Sequence, residues 1–416
     1  MPSSLKLVLK LVLGLAVVAG VWTFFSTQWG WKALPETAPL TFEAYDERFV
    51  QAGEDAAAVL EAMRGEFGVP GVTAAVAVDG ELVWAAGAGW ANLDAETPAS
   101  TDTLFRIGST SKAMTATVIA RLVDQGVLAP DDTVGAHVPD APNEDWLAIE
   151  LDQLLSHTAG FPGYENNSDW PDAYETLRMK RQYDRVEDSL ELVDDARLLS
   201  EPGEAYYYTS FDVVLAAVMA ERATGEDYAS LLDREIRTPL DLATPIRANA
   251  GPIPEHVAQF YQSRGNGQIR PRGAVNVSQR WPSGGLYARS IDLVQVASAW
   301  LDDDFISEAT RERFWAPMRL NSGEVNEEGY ALGWRVNPQS VSRFGEDAPV
   351  RIVHHGGVSR GAMSWLILYP ELGIAVAVNI NTETDEFSDF SNVEPEITRL
   401  FAEAVGRTPE SARPPD

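Results

Sequence analysis

A serine and a lysine stand three positions apart at the start of a predicted helix, in Ser109-Thr110-Ser111-Lys112. Residues three apart share a helix face, so the Ser109 hydroxyl and the Lys112 amine are expected to be neighbours. A buried amine can lose its proton and then accept the serine proton, which an arginine cannot do. The spacing therefore predicts a serine nucleophile activated by lysine. The alternative is a helix cap at Ser109 and a surface lysine at position 112.

Two further observations favour a nucleophile at Ser109. Lysine is rare, because only five of the 32 basic residues are lysine, at positions 6, 10, 32, 112 and 180. Ser109 also lies at the predicted helix start, where free N–H groups and the positive end of the helix dipole stabilise a developing oxyanion. We therefore expect the backbone N–H of Ser109 to be one oxyanion donor.

Three tyrosines, at positions 206–208, precede the apolar run Phe211–Thr224, which predicts a helix closed by Gly225. A tyrosine at such a junction can relay a proton between a lysine and a serine if the neighbouring cation lowers the tyrosine pKa. The alternative is an aromatic cluster that packs in the core.

A second glycine-rich segment, His354-His355-Gly356-Gly357-Val358, lies near the end of the chain. Adjacent residues on a strand point to opposite faces, so at most one histidine should face a given site. Glycines allow a substrate to lie close to the backbone. A backbone N–H in this segment is a candidate second oxyanion donor, and loss of such a donor typically costs ~10²–10³ in rate.

The pattern resembles that of the serine β-lactamase-related hydrolases, which include class C β-lactamases, D,D-peptidases and family esterases. The stretches that carry the resemblance run in order along the chain: Phe105–Lys112, Leu154–Gly160, Pro202–Gly225, Gly284–Tyr287 with Asp292-Leu293, and the His-x-Gly segment. Two registers of the last motif are open. Counting back from Gly361 and Pro370 selects His355-Gly356-Gly357, whereas His354-His355-Gly356 needs an extra residue.

The resemblance implies a role for each matched residue, by acyl-enzyme chemistry without a metal or other cofactor. The implied catalytic residues are Ser109, Lys112, Tyr208 and His355; the implied oxyanion donors are the N–H groups of Ser109 and Val358; the implied substrate-binding residues are Ser210, Gly356 and Gly357. Whether Lys112 or Tyr208 is the formal base stays open.

Two departures from the family pattern bear on the substrate. Ser210 stands where the family usually has asparagine, and His355 replaces the lysine of penicillin-recognising members. Both favour an esterase-like hydrolase of a small ester or amide. The alternatives are a β-lactamase or D,D-peptidase, and a non-catalytic envelope-anchored binding protein with the same fold. Segment 161–201, with aromatic residues such as Trp170, is expected to shape the pocket mouth and to favour an apolar acyl or leaving group.

Composition excludes several other classes of function. The chain has 416 residues and a net charge of −30, so it repels nucleic acid and anionic surfaces, and a polyanionic substrate is not expected. Cysteine is absent, which excludes disulfides and thiolate nucleophiles. The five histidines form no metal-binding array, so a metal hydrolase is not indicated. No protein partner is indicated either.

Residues 1–31 combine Lys6 and Lys10 with an uncharged run from Leu11 to Phe25 and three tryptophans around its end. This pattern predicts an N-terminal signal anchor, with the catalytic body outside the cytoplasm on the periplasmic side. The alternative is a secreted protein whose signal is cleaved. Residues 32–45, with two prolines, are expected to be a tether.

The remaining pattern predicts an α+β fold of the β-lactamase/transpeptidase-like type, an antiparallel sheet flanked by helices. Residues 46–126 and 281–407 are assigned to a discontinuous sheet domain. Residues 127–280 form a mostly helical inserted domain, and 408–416 a disordered tail. Local signals include a hairpin at Asp79-Gly80 and two strands, Met363–Leu368 and Ile374–Ile380.

Overall fold

The computed structural model describes residues 3–163, 174, 176–264, 267–337 and 350–407. The tail expected at 408–416 lies outside the described residues. So does the part of segment 161–201 that contains Trp170.

One large antiparallel sheet organises the described chain. Its strands lie in the order β11-β12-β13-β14-β3-β4-β2, and β5 pairs with β4. The strands are β1 Lys32–Ala33, β2 Leu40–Ala44, β3 Gly71–Val78, β4 Glu81–Asn92, β5 Thr97–Pro98, β6 Phe105–Arg106, β7 Ile246–Arg247, β8 Tyr261–Ser263, β9 Gln268–Pro271, β10 Leu286–Ala288, β11 Arg335–Asn337, β12 Ile352–Ser359, β13 Ala362–Tyr369 and β14 Ile374–Ile380.

Helices cover both faces of this sheet. The helices of the described chain are α1 Ser3–Thr27, α2 Val50–Glu66, α3 Ser111–Asp124, α4 Val134–His137, α5 Leu151–Leu155, α6 Phe211–Thr224, α7 Tyr228–Leu232, α8 Trp281–Gly284, α9 Ser290–Ala299, α10 Glu308–Phe314, α11 Phe387–Ser391 and α12 Val393–Ala404. Those that pack on the large sheet include α2 and α12 on one face and α9 on the other. Short 3₁₀ turns include Glu47–Phe49, Gly108–Thr110, Glu144–Trp146, Glu187–Leu192, Ser278–Arg280 and Pro370–Leu372, and Asp233–Arg237 is a π turn.

Strand β3 shows how the sequence builds two cores on one sheet. All its residues are buried, and their side chains alternate between the faces. Val72 and Val76 pack with Phe401 of α12 on one side. Ala75 and Ala77 share the other core with Leu293 of α9. A strand buried on both faces is therefore mostly apolar rather than alternating with polar residues, and the one hydroxyl, of Thr73, is hydrogen-bonded to Ser290.

The predicted hairpin is confirmed. Strands β3 and β4 pair in antiparallel register from Val78↔Glu81, and Asp79 and Gly80 have φ of 52° and 88°. A two-residue turn with both φ positive matches the twist of the flanking strands. The helix Phe211–Thr224 is also confirmed, and Gly225 ends it with φ of 74°.

Residues 32–45 differ from the expected tether. Leu40–Ala44 forms β2 at the edge of the large sheet against β4, and Lys32–Ala33 pairs with β9. Leu40 packs against the core that α2 and α12 cover, which gives this short segment an apolar anchor. The prolines at 35 and 39 lie between these two strands rather than within them.

Residues 127–280 carry helices α4 to α7 but also the short strands β7, β8 and β9. Strand β7 pairs with β10, and β10 pairs with β6 directly before Ser109. This small sheet ties the inserted segment to the start of α3.

The N-terminal segment is helical over Ser3–Thr27. None of the helices in the part of the chain that the structure describes combines the length and apolar character needed to cross a membrane.

Candidate active site

Ser109 lies in the 3₁₀ turn Gly108–Thr110, which leads directly into α3. One turn later, the fully buried Lys112 directs its Nζ at Ser109 Oγ, 3.4 Å away. Lys112 Nζ also donates to the carbonyl oxygen of Ser283, at 2.9 Å. The carbonyl fixes the amine beside the serine hydroxyl, so the structure brings the predicted nucleophile and its candidate base together.

Tyr208 completes this group from the loop before α6. Its hydroxyl is hydrogen-bonded to Ser109, and its ring faces Lys112 Nζ at 4.6 Å from the ring centroid. Although 38% of the residue is exposed, desolvation of the hydroxyl raises the pKa of Tyr208 to about 12. The Ser109 hydrogen bond and the charge of Arg335 lower that pKa without offsetting desolvation. The neighbouring cation therefore does not lower the tyrosine pKa below its ordinary value, which was the condition set for a relay.

Strand β12 passes directly over the Ser109 turn, and this approach requires glycine. A Cβ on Gly357 would lie 1.9 Å from Ile107 O and 2.9 Å from Ser109 N. A Cβ on Gly108 would lie 2.7 Å from Val358 N. The backbones that carry the two proposed oxyanion donors are therefore neighbours. The position of Gly357 fits the register His355-Gly356-Gly357.

His355 is buried against Tyr330. Among the described residues, no hydrogen bond joins His355 to Ser109. Its Nδ1 lies 2.7 Å from Gly356 O, and its Nε2 lies 2.9 Å from Tyr330 Oη. A carbonyl only accepts, so Nδ1 carries the proton and the tyrosine hydroxyl donates to Nε2. Burial, followed by the charge of Lys112, holds the pKa of His355 well below its ordinary value.

A second histidine, His157, lies behind Tyr208. Its φ is 60°, its ring centroid is 4.5 Å from that of Tyr208, and Nδ1 lies 3.0 Å from Asp212 Oδ2. Both partners are fully buried. Burial raises the pKa of Asp212 well above its ordinary value and lowers that of His157 well below its own. Both shifts oppose ionisation, so burial favours the neutral forms of Asp212 and His157.

Two cavities open beside Ser109 and Val358, which border both. The larger, of about 490 Å³, is mostly aromatic, and its other lining residues are Tyr208, Arg335, His354, His355, Gly356, Trp365 and Phe387. The smaller, of about 270 Å³, is more polar, and its other lining residues are Met179, Ser210, Arg272, Val277, Arg280, Gly284, Ser359, Arg360 and Glu383.

The structure thus brings Ser109, Lys112 and Tyr208 into contact and places Ser210 and Val358 at the cavity walls. Both adjacent histidines border the larger cavity, although alternation along a strand predicts that only one histidine faces it. The His354 ring lies against Trp365, with ring centroids 4.8 Å apart. His355 is hydrogen-bonded to Tyr330 instead.

Sequence reasoning missed several residues around the site. These are Asp212, Tyr330, Arg335, Trp365 and Phe387, together with the arginines of the smaller cavity. Asp212 is the second residue of α6, but Tyr208 lies in the loop before that helix, so helical periodicity does not relate the two residues. The others come from distant segments and carry no local signal.

Comparison with known proteins gives consistent matches over most of the chain. The family model described as Beta-lactamase matches residues 56–394. Serine beta-lactamase-like protein LACTB, mitochondrial, of Mus musculus is 25% identical over 414 residues, covering 80% of this chain and 75% of the relative. Penicillin-binding protein 4* of Bacillus subtilis (strain 168) is 27% identical over 309 residues, covering 71% of this chain and 65% of the relative.

Among solved structures, the D-amino acid amidase from Ochrobactrum anthropi SV3 superposes with a TM-score of 0.69 at 19% identity. The match covers 86% of this chain and all of the amidase chain, 100%. At this identity the likeness concerns the fold.

Proposed function

Because the chain belongs to the β-lactamase family and is a serine hydrolase of that family, we propose that Ser109 forms an acyl-enzyme with an ester or amide carbonyl. The observation that carries the proposal is the contact of one hydroxyl with two proton-handling groups. Ser109 Oγ lies 3.4 Å from Lys112 Nζ and is hydrogen-bonded to the Tyr208 hydroxyl.

In the first step, Ser109 Oγ bonds to the carbonyl carbon while unprotonated Lys112 takes the hydroxyl proton. Tyr208 then gives its proton to the leaving group as the bond between carbon and leaving group breaks, and the proton held by Lys112 returns to Tyr208. With a pKa of about 12, Tyr208 is a neutral phenol that both donates and accepts, which suits a relay better than a phenolate base. In the second step, water bonds to the acyl carbon and loses a proton to Lys112 or Tyr208. The bond between the acyl carbon and Ser109 Oγ then breaks, and that proton passes to Ser109 Oγ as the acid leaves.

The proposed oxyanion hole consists of the N–H groups of Ser109 and Val358. The close backbone approach at Gly357 and Gly108 supports this pairing. Two fixed donors stabilise the negative charge that develops on the carbonyl oxygen without reorganisation during the reaction.

We favour esterase-like activity over cleavage of β-lactams or D,D-peptides. The lysine of penicillin-recognising members supplies a cation, but His355 is buried, bonded to Tyr330 and uncharged near neutral pH. Ser210 is nearly buried and shorter than asparagine, so it reaches less far toward a substrate amide. Both features weaken recognition of an amide-linked carboxylate substrate more than they weaken attack on an ester.

The test is turnover of p-nitrophenyl butyrate and of a chromogenic cephalosporin by the full chain. Ser109→Ala is expected to lower ester turnover by at least ~10³. Ser230→Ala, on the exposed side of α7, is the matched control and keeps wild-type turnover. Faster cephalosporin than ester turnover would overturn the esterase preference.

The non-catalytic alternative is tested separately. A fluorophosphonate probe should label wild type but not Ser109→Ala, with the labelled peptide identified by mass spectrometry. A wild-type chain that neither turns over esters nor takes the label would support a binding protein with this fold. The location of the catalytic body outside the cytoplasm stays a prediction, which a topology reporter fused at the C-terminus tests.

A further inference from the structure

The smaller cavity beside Ser109 has the opposite charge to the molecule as a whole. The chain carries 62 acidic and 32 basic residues, yet Arg272, Arg280 and Arg360 border this cavity, and Glu383 is the one carboxylate among the described residues that line it. A local excess of guanidinium groups next to a nucleophile attracts an anionic group on the substrate.

Two of these arginines belong to a compact cluster with Arg106. The Arg106 guanidinium lies over the Phe260 ring, 3.9 Å from its centroid, and donates to Arg360 O. The guanidinium of Arg360 donates to Leu177 O, a neutral acceptor. Burial, with the charges of Arg272 and Arg360 adding to it, lowers the pKa of Arg106 to about 10.

Glu383 offsets this positive charge only in part. Its Oε1 lies 3.5 Å from Arg272 Nη2 and accepts the N–H of Gly361 at 2.6 Å. Among the described residues, Glu383 is the carboxylate that forms an ion pair within the cluster of Arg106, Arg272 and Arg360. A bound carboxylate would relieve the mutual repulsion and form charge-assisted, bidentate hydrogen bonds.

The position of Tyr208 decides which part of the substrate enters this cavity. Tyr208 borders the aromatic cavity and not the smaller one. Because the leaving group must receive its proton from the relay, it occupies the Tyr208 side of Ser109. The acyl group then extends past Ser210 and Val358 toward Arg272 and Arg360.

We infer that the preferred substrates are esters or amides whose acyl group carries a carboxylate, bound by Arg272 and Arg360. This inference rests on the proposed function, because it assigns the acyl side from the direction of proton transfer. Arg335 is the cation of the opposite cavity, but it is ion-paired with Glu328 and faces the Tyr208 ring. A charged leaving group therefore gains less there than a charged acyl group gains between the arginines.

The experiment compares three esters: p-nitrophenyl hydrogen adipate, its neutral methyl ester, and 4-carboxyphenyl hexanoate, with spontaneous hydrolysis subtracted. Wild type is expected to favour the acidic acyl ester over the neutral one at least tenfold in kcat/KM. Arg272→Gln and Arg360→Gln should each reduce this ratio at least threefold, and the double variant should bring it near one. Arg399→Gln, on the exposed side of α12, is the matched control and leaves the ratio unchanged.

Glu383→Gln separates charge selection from a structural role. The amide oxygen still accepts the Gly361 N–H, but the competing negative charge is gone, so the preference for the adipate ester should rise. A fold defect would lower all rates and would not raise this ratio. A wild-type ratio near one, or a preference for the ester with the charged leaving group, would overturn the inference.

Failure of the inference and failure of the proposed function give different results. Ester turnover that depends on Ser109 but shows no preference for the acidic acyl group contradicts only the inference. If no ester is turned over, the thermal unfolding midpoint with added adipate gives a binding readout. A midpoint that adipate raises in wild type but not in Arg360→Gln would support the anion site and contradict the proposed hydrolase activity. A midpoint that adipate does not raise in wild type would contradict both.

Discussion

At the residue scale, the environment of Tyr208 determines its part in the chemistry. Lys112 Nζ lies over the tyrosine ring, at 4.6 Å from the centroid. A cation over the π face is attracted to the ring quadrupole. Burial has the largest effect on the hydroxyl, ahead of the Ser109 hydrogen bond and the Arg335 charge. Desolvation therefore dominates, and the pKa of Tyr208 rises to about 12.

The raised pKa of Tyr208 predicts the pH profile of the enzyme. Tyr208 is protonated below about pH 12, so wild-type kcat/KM between pH 6 and 10 should show no ionisation of this residue. Tyr208→Phe should lower kcat ~10²–10⁴-fold and leave the profile shape unchanged. Tyr207→Phe is the neighbouring control. A wild-type rate that climbs steeply toward pH 10, with the climb lost in Tyr208→Phe, would indicate a phenolate base instead.

The buried Asp212–His157 pair gives a second prediction, on stability. Asp212 has a raised pKa when folded, so above about pH 4 the unfolded chain releases this proton while the folded chain keeps it. Stability is therefore lost as pH rises toward the folded-state pKa. Asp212→Asn removes this loss and should raise the free energy of unfolding at pH 8 by about 1 kcal/mol or more relative to its effect at pH 4.

Denaturant titrations at the two pH values measure this effect. His157 has a lowered pKa, so its contribution to stability is lost below about pH 6.5 in both wild type and Asp212→Asn. This contribution therefore largely cancels when the two proteins are compared. Asp132→Asn is the matched control, because Asp132 forms a similar but partly exposed pair with His137. A loss of several kcal/mol in Asp212→Asn at pH 8 would show that the native pair is ionic.

At the element scale, the contact between β12 and the Ser109 turn positions the proposed oxyanion donors. Gly357→Ala would bring a Cβ within 1.9 Å of Ile107 O and 2.9 Å of Ser109 N. Both are backbone atoms, so the strand must move away from the turn. We expect kcat to fall at least ~10²-fold, as it does when an oxyanion donor is displaced.

Gly356→Ala provides the comparison for that prediction, because its Cβ would meet the Phe387 ring, at 2.6 Å, which is a side chain that can rotate. Its loss of kcat should be clearly smaller. Steady-state kinetics with the thermal midpoint of each variant separates a displaced donor from a general loss of fold. Equal losses in the two variants would contradict a specific role for the Gly357 contact.

The elements that the sequence predicted well are those that local chemistry determines. Asp79-Gly80 supplies the positive φ angles of a hairpin turn, and Gly225 closes the helix after Thr224. The spacing of Ser109 and Lys112 depends only on one helix turn. By contrast, β2 has five residues directly after Pro39 and pairs with β4, forty or more positions later, so nothing local distinguishes it from a linker.

The same reasoning explains which parts of the site were missed. Arg106, Arg272 and Arg360 come from three separate segments. They meet because the turn after β12 packs closely on residues 260–272: a Cβ on Gly361 would lie 3.1 Å from Phe260 Cβ and 3.3 Å from Arg272 Cβ. Tyr330 likewise lies 25 positions from His355 in the sequence, yet its hydroxyl is hydrogen-bonded to the buried ring of that histidine. Such contacts depend on tertiary packing, which the spacing of residues in one chain does not specify.

At the scale of the whole molecule, the β-lactamase/transpeptidase-like fold carries a large negative charge around a site with a positive side cavity. A net charge of −30 opposes the compact state through self-repulsion, because the folded chain holds its carboxylates closer together than the unfolded chain does. Screening should therefore stabilise the fold while it weakens attraction of an anionic substrate to the arginines.

This opposition predicts a specific salt dependence. The unfolding midpoint of the full chain should rise by a few degrees as NaCl increases, with most of the rise below about 0.3 M, where the Debye length shortens most. Over the same range the preference for the adipate ester should fall, because the charges that select it are partly exposed. Differential scanning calorimetry and the ratio of kcat/KM values measure the two effects on one sample.

Sucrose, which strengthens burial without screening charge, should raise the midpoint but leave the ratio unchanged. A midpoint that rises only above 1 M NaCl would indicate solute exclusion rather than screening, and would contradict self-repulsion as a significant cost to this fold.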